Sequence, residues 1–465
     1  MKTKLLITLL LCAIGAGSAQ AQTQMWGTTQ AGGTSGDGVI FTMDGNGANY
    51  HVEYSFDNPT GSLPVGNVVL ADNGKLYGVT EEGGFGDSCV IYSYQPLTGI
   101  YTNIYDLYQY TQYGWGAESG MLNASNGMLY GLCRIGGAGN SGVIYKIDPA
   151  TDTYTDIYDF DNFNGFGPVG SLIQLSNGKL YGMTSYGGAN SKGVIFSFDP
   201  VTSVFVNLYD FIQSTGGVPF GDLMQASNSK LYGMTYEGGS NGYGVLFSFD
   251  IATGAYIALH NFDLTHGGNP LGNVMQASNG LLYGMTNHGG ASNFGVLFSF
   301  DITTNIFTDL LEFDNVATGA NPARSLSQAG NGKLYGTTLY GGVNSSGVAF
   351  SYDIATNTYT KLMDFGSMGA YPNCNLVETP VLTPTGIPAI VAATETAVYP
   401  NPASGSLTVT GTAKDEMIQF IDVAGKEIFS LKISAGNKSD VNISRFPNVF
   451  FIKRQNGEVR KIVKQ

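Results

Sequence analysis

Between residues 24 and 380 the chain alternates short apolar runs with clusters of Gly, Asn, Asp and Ser, and the alternation itself repeats. The runs are four to eight residues long and rich in Val, Ile, Tyr, Phe and Thr. That length and composition predict strands rather than packed helices. One unit reads GSLIQL from Gly170, KLYGMTS from Lys179 and GVIFSFD from Gly193, and a fourth run of the kind YTDIYDF (from Tyr154) precedes each new unit. Ser-Asn-Gly stands before the second run, Gly-Gly after it and Asp-x-x-Thr after the third, all choices that tight turns demand. Aligning the aromatic-Gly pair gives Trp26, Tyr77, Tyr130, Tyr181, Tyr232, Tyr283 and Tyr335, at steps of 51, 53, 51, 51, 51 and 52. A fixed period of this size marks a repeat array. Four antiparallel strands per unit, apolar on both faces, describe a propeller blade packed between its neighbours.

The two ends of the array predict closure. QMWGTT, from Gln24, is the second run of a unit, so the first unit lacks its opening strand. One extra run, PNCNLVET (Pro372 to Thr379), follows the last unit and matches PVGSLIQL (from Pro168) and PLGNVMQA (from Pro270). A ring zipped shut by that strand hides its sheet edges. The expectation is a seven-bladed β-propeller over residues 22–380.

Residues 1–21 read as a signal peptide: Lys2 and Lys4, an apolar run from Leu5 to Ile14, and the small-x-small site Ala19-Gln20-Ala21. The run is too short to span a bilayer. Leu11 is too bulky to precede a lipidated Cys12. Residues 381–396 form a Pro/Thr/Ala linker, and 397–465 a second domain. That tail carries Tyr399-Pro400-Asn401-Pro402, a run from Ile418 to Asp422 leading into Ala424-Gly425-Lys426, and a closing KIVKQ from Lys461. It resembles the C-terminal sorting domain of the type IX secretion system of Bacteroidetes, departing at Asn448-Val449-Phe450, where the family has Gly-x-Tyr. The resemblance implies a small immunoglobulin-like β-sandwich, handling by the type IX machinery, and a secreted or outer-surface location. The LYG-T-GG and GV-F strings resemble the GloVer tandem repeat of exported bacterial proteins, kelch-like in style. That resemblance implies a propeller and no settled activity.

The propeller holds 9 basic and 28 acidic residues, the tail 10 and 6. So acidic a propeller speaks against nucleic acid, which needs cationic contacts, and against anionic lipid. Solubility accounts for the charge, as would calcium or a cationic partner. Beyond the leader three cysteines remain, Cys89, Cys133 and Cys374, in different units, and the expectation is buried unpaired thiols.

Repeated residues build the scaffold, so function belongs where copies differ. Two sets differ on one face. The first is the pair before each Gly-Gly, including Glu81-Glu82, Tyr236-Glu237 and Asn287-His288. The second, at the start of each innermost strand, is Asn67, Gly120, Ser171, Asp222, Asn273, Ser325 and Asn375, with Arg324 where most copies have Gly. A polar ring at a channel mouth suits water, a cation or sugar hydroxyls, and a plain solvated pore is the alternative. The loop YQYTQYGWGAESG (from Tyr108) adds Tyr110, Tyr113 and Trp115, flat faces suited to pyranose stacking or to capping a blade edge. The candidate ligand residues are therefore Tyr110, Tyr113, Trp115, Asp222, Asn273, His288, Arg324 and Asn375. Four histidines show no metal spacing, and DGNGAN (from Asp44) and DFDNFNG (from Asp159) are poor calcium loops. No cofactor and no catalytic set is expected. The reading is a binding module with extracellular carbohydrate as favoured ligand. The alternatives are a polysaccharide lyase or glycosidase using Glu82, Glu237 or Asp222, and an adhesin without a small ligand.

Overall fold

The computed structural model describes residues 24–107 and 114–379, with the tail strands Val398–Tyr399, Ser406–Thr410, Glu416–Ile421, Glu427–Ile433, Lys438–Asn442, Val449–Arg454 and Val459–Val463 and a few residues beside them. The leader, the linker, Tyr108, Tyr110 and Tyr113 lie outside the described residues.

Seven four-stranded antiparallel sheets follow the sequence period. The fourth blade is typical: Ile173–Gln174 innermost, then Leu180–Thr184, Val194–Asp199 and Val204–Asp210 outermost. The ring closes as the pattern predicts. Val377–Thr379 pairs antiparallel with Gln24–Thr29, Gln24 opposite Thr379 and Trp26 opposite Val377. In the tail two sheets share one core of Leu407, Val409 and Val441 from one and Ile418, Phe420 and Ile452 from the other, which makes a β-sandwich.

The core lies between blades. Tyr130 and Ile144 of the third blade pack with Leu180 and Phe196 of the fourth, all buried. Each such side chain contributes roughly 1.5–3 kcal/mol of transfer free energy. The Gly after each repeated aromatic makes room for this packing: a Cβ on Gly182 would sit 2.7 Å from the Phe196 ring. The tyrosines before those glycines also tie the turn. Tyr181 OH accepts a bond from Asn177 at 2.9 Å, and the pair recurs as Asn228 with Tyr232 and Asn279 with Tyr283.

The antiparallel order gives the ring two unlike faces. Turns joining strands one to two and three to four lie on what we term the lower face. Loops joining two to three, and four to the next blade, lie on the upper face. The lower turns are near copies, joined from blade to blade by one device: Ser125 N–H donates to Gln174 Oε1, Ser227 N–H to Gln276 and Ser278 N–H to Gln328, each at 2.8 Å. Both Gln24 and Thr379 stand at the lower end of the axis, so the chain enters and leaves the propeller on that face.

Candidate functional site

The upper loops are built on glycine and threonine. Gly187 and Gly188 take φ of +74° and +73°, a region closed to most side chains. Below the pair, Thr184 Oγ1 accepts the Val194 N–H at 3.2 Å and donates to the Tyr186 carbonyl at 2.9 Å. Thr235, Thr286 and Thr338 repeat the arrangement, and Cys133 stands in that place in the third blade. The loop entering each blade then runs antiparallel beside the Gly-Gly loop, pairing Trp115 with Ile135, Phe166 with Tyr186, Gly268 with His288 and Ala320 with Tyr340.

At the axis the polar ring forms, and its side chains bond to neighbouring backbone. Asn375 N–H donates to Asn67 Oδ1 at 2.6 Å, Ser325 N–H to Asn375 Oδ1 at 2.8 Å, and Asn273 N–H to Ser325 Oγ at 2.7 Å. Ser171 N–H donates to the Asp222 carboxylate. Between Asp222 and Asn273 the chain of bonds is open, and the buried Asn273 Oδ1 has no partner. Glycines flank the ring because the strands crowd: a Cβ on Gly221 would lie 2.1 Å from the Gly272 carbonyl oxygen.

Arg324 crosses this mouth. Its Nε donates to Asn373 Oδ1 at 2.6 Å in the closing segment, and its Nη2 to the Glu118 carbonyl at 2.9 Å, on the far side of the ring. Asp222 faces it across a small cavity lined also by Asn67, Ser171, Ser325 and Asn375. That cavity leaves about 10 Å³ for the centre of a water-sized sphere, room for one water and none for a sugar ring. Burial raises the Asp222 carboxyl above its ordinary range, opposed by the Ser171 N–H and by Arg324. Burial likewise lowers the Arg324 guanidinium, opposed by Asp222 and Glu118. Glu81, raised by burial and by Glu118 and Glu82, lies at the same mouth, and Arg134 pairs with Glu118 at 2.8 Å.

The structure thus brings Asp222, Arg324 and Asn375 around one cavity, with Asn273 bonded into the same ring. Trp115 is half-buried and packs against the core between the second and third blades. His288 is half-buried beside the sixth blade's Gly-Gly loop, its backbone paired with Gly268. Sequence reasoning missed Glu118 and Asn373, whose link to Arg324 spans up to 206 residues and leaves no local signal. The loops of weak calcium pattern spend their carboxylates internally: Asn49 Nδ2 donates to Asp44 at 2.6 Å and Asn164 N–H to Asp161 at 2.7 Å. All three predicted thiols are free and buried, and burial raises Cys89 to about 11.

A family model for the Gloeobacter/Verrucomicrobia repeat matches residues 14–229 and 221–381. One for the secretion system C-terminal sorting domain matches residues 397–465. Comparison with curated proteins found no match. Among solved structures, a provisionally assigned 6-phosphogluconolactonase from Bacteroides fragilis NCTC 9343 superposes with a TM-score of 0.53 at 15% identity, over 78% of this chain and 99% of its own. TolB from Acinetobacter baumannii gives 0.43 at 13% identity, over 76% of this chain and 66% of its own. The extracellular domain of a provisionally assigned one component system from B. thetaiotaomicron gives 0.45 at 13%, over 95% of this chain and 52% of its own. The chain therefore spans between about half and two thirds of the latter two, and at 15% identity the likeness to the first is one of fold alone.

Proposed function

This chain belongs to the Gloeobacter/Verrucomicrobia repeat family, and from that premise we propose that its propeller is a binding module engaging an extended extracellular ligand across the upper face. The sorting domain marks the chain for export by the type IX machinery, to the cell surface or the medium. Among the described residues no helix is long and apolar enough to cross a membrane.

One observation carries the reading: the two faces divide their labour. Lower turns are near copies bonded blade to blade, and their exposed apolar residues are aliphatic, such as Val201; upper loops differ between copies and carry the most exposed aromatic rings, Phe85 and Phe163, 74% and 86% exposed. Exposed apolar surface of this kind marks contact sites more often than solvated scaffold. An axial ligand is disfavoured, because Arg324 and the ring use the mouth for the propeller's own bonds. A glycan on the rim is the second reading. It is favoured by Tyr340 and Tyr371, 48% and 37% exposed, with rings edge to face at 5.7 Å. The glycosidase reading has less behind it. Of its three carboxylates only Asp222 lines the axial cavity, while Glu237 pairs with Lys192 at 3.4 Å.

The test is a panel of glycans and extracellular proteins offered to the full exported chain. A ligand lost on the double substitution Tyr340→Ala, Tyr371→Ala, or on Phe163→Ser, and retained on the lower-face control Val201→Ser, supports the upper face. Loss on the control alone, or no ligand in either class, overturns it.

A further inference from the structure

We infer that the upper-face ligand is a polypeptide surface carrying cationic and apolar side chains together; this rests on the upper-face reading above. Two properties of the rim, independent of the axial mouth, lead there.

The first is apolar. Phe85 and Val343 project from Gly-Gly loops, and Phe163, Ile212, Val316 and Met368 from loops entering the next blade, all exposed. They stand on the second, fourth, fifth and seventh blades and at the closing seam, so they surround the face instead of forming one pocket. Separated apolar knobs suit a broad protein surface; a saccharide ring asks for one flat aromatic platform flanked by hydroxyl-binding groups.

The second is charge. Asp57, Glu82, Asp87, Asp161 and Asp314 are exposed on the same loops, and none of the five forms an ion pair among the described residues. The described cations of this face are already matched: Arg134 with Glu118 at 2.8 Å, Lys192 with Glu237 at 3.4 Å, and Arg324 opposite Asp222 in the mouth. Most of the remaining propeller lysines lie away from it, as Lys75 does in a lower turn, bonded to Asp152 at 2.9 Å. The upper rim is therefore negative beyond what its own cations balance. Complementary potentials steer encounter and exclude wrong partners, so an acidic, apolar-tipped face selects a basic, apolar one.

The measurement is fluorescence anisotropy with the full exported chain and three peptides of equal length. One alternates lysine with leucine, one is lysine alone, and one alternates glutamate with leucine. At roughly physiological salt, where exposed charges act over about 8 Å, the lysine–leucine peptide should bind at least ten-fold more tightly than either of the others. Phe85→Ser with Phe163→Ser should cost ten-fold or more. Glu82→Gln with Asp87→Asn should weaken binding and flatten its salt dependence. All four side chains are exposed, so the thermal midpoint should not move. Equal binding of the lysine-only or glutamate–leucine peptide, or unchanged binding by both variants, overturns the assignment. If a glycan from the panel binds in a Tyr340-dependent way while the lysine–leucine peptide does not, the polypeptide assignment fails and the upper-face reading stands.

Discussion

Arg324 sits where four of the other blades carry Gly66, Gly170, Gly221 or Gly272, and its consequences are electrostatic. A guanidinium fixed by Asn373 and the Glu118 carbonyl cannot swing out to meet a ligand without leaving two acceptors unpaired. Burial pushes the Asp222 carboxyl upward, and the Ser171 N–H first and the Arg324 charge second pull it back down. Arg324→Met keeps the bulk and removes the charge. We expect a loss of about 2–3 kcal/mol, below the cost of breaking a fully buried pair because solvent reaches the mouth. The sign with pH follows from the raised Asp222 pKa. A carboxyl that binds its proton more readily folded than unfolded gains stability as pH falls. Without Arg324 that pKa rises further, so the variant's deficit should shrink as pH drops through the raised value. Thermal melts of both proteins across pH 4–8 (a window set by roughly the carboxylate range and above) check this. A deficit constant with pH would show that Asp222 is not the counter-charge.

The elements are held by devices that repeat, and one of them is testable in isolation. Thr235 is fully buried, and its hydroxyl accepts the Val245 N–H at 3.1 Å while donating to the Glu237 carbonyl at 3.0 Å. The hydroxyl joins the end of the second strand to the start of the third at the root of an upper loop. Thr235→Val preserves shape and orphans the Val245 N–H, which should cost roughly 1–3 kcal/mol. A urea melt reads the loss as a lower midpoint, and an unchanged midpoint would reduce the recurring threonine to a packing residue. At this scale the sequence was informative. Strand identity, blade boundaries and the closing segment at Val377–Thr379 were legible because each rests on local patterning multiplied by repetition. The candidate site was less so. The ring positions Asp222, Asn273 and Asn375 were recognisable from their register, yet their hydrogen bonds run between blades about 50 residues apart. Nothing local distinguishes a side chain offered to a ligand from one spent on a neighbouring strand. Trp115 illustrates the same limit: a glycine-flanked loop reads as exposed, and only tertiary packing turns the indole against the core.

The whole molecule adds direction. Because the opening strand of the first blade is the last strand of the chain, Gln24 and Thr379 meet at the lower end of the axis, and the sorting domain follows from there. We therefore expect a tail retained at a cell surface to hold the propeller by its lower face, with the variable upper loops pointing outward. An attachment from the opposite side would bury the acidic, apolar rim against the cell and leave the repeated turns as the accessible face. The three described cysteines are buried, so the full chain accepts a reporter thiol without competing labels. Ser240→Cys places one on an exposed upper loop and Thr202→Cys one on an exposed lower turn. On intact producing cells a bulky, impermeant maleimide polymer should react with the upper thiol several-fold faster, while the two should react alike in protein released from the surface. Equal rates on cells would mean that the tail does not hold the propeller against the surface. Faster labelling of Thr202→Cys would invert the molecule and place the ligand-facing side on the repeated turns.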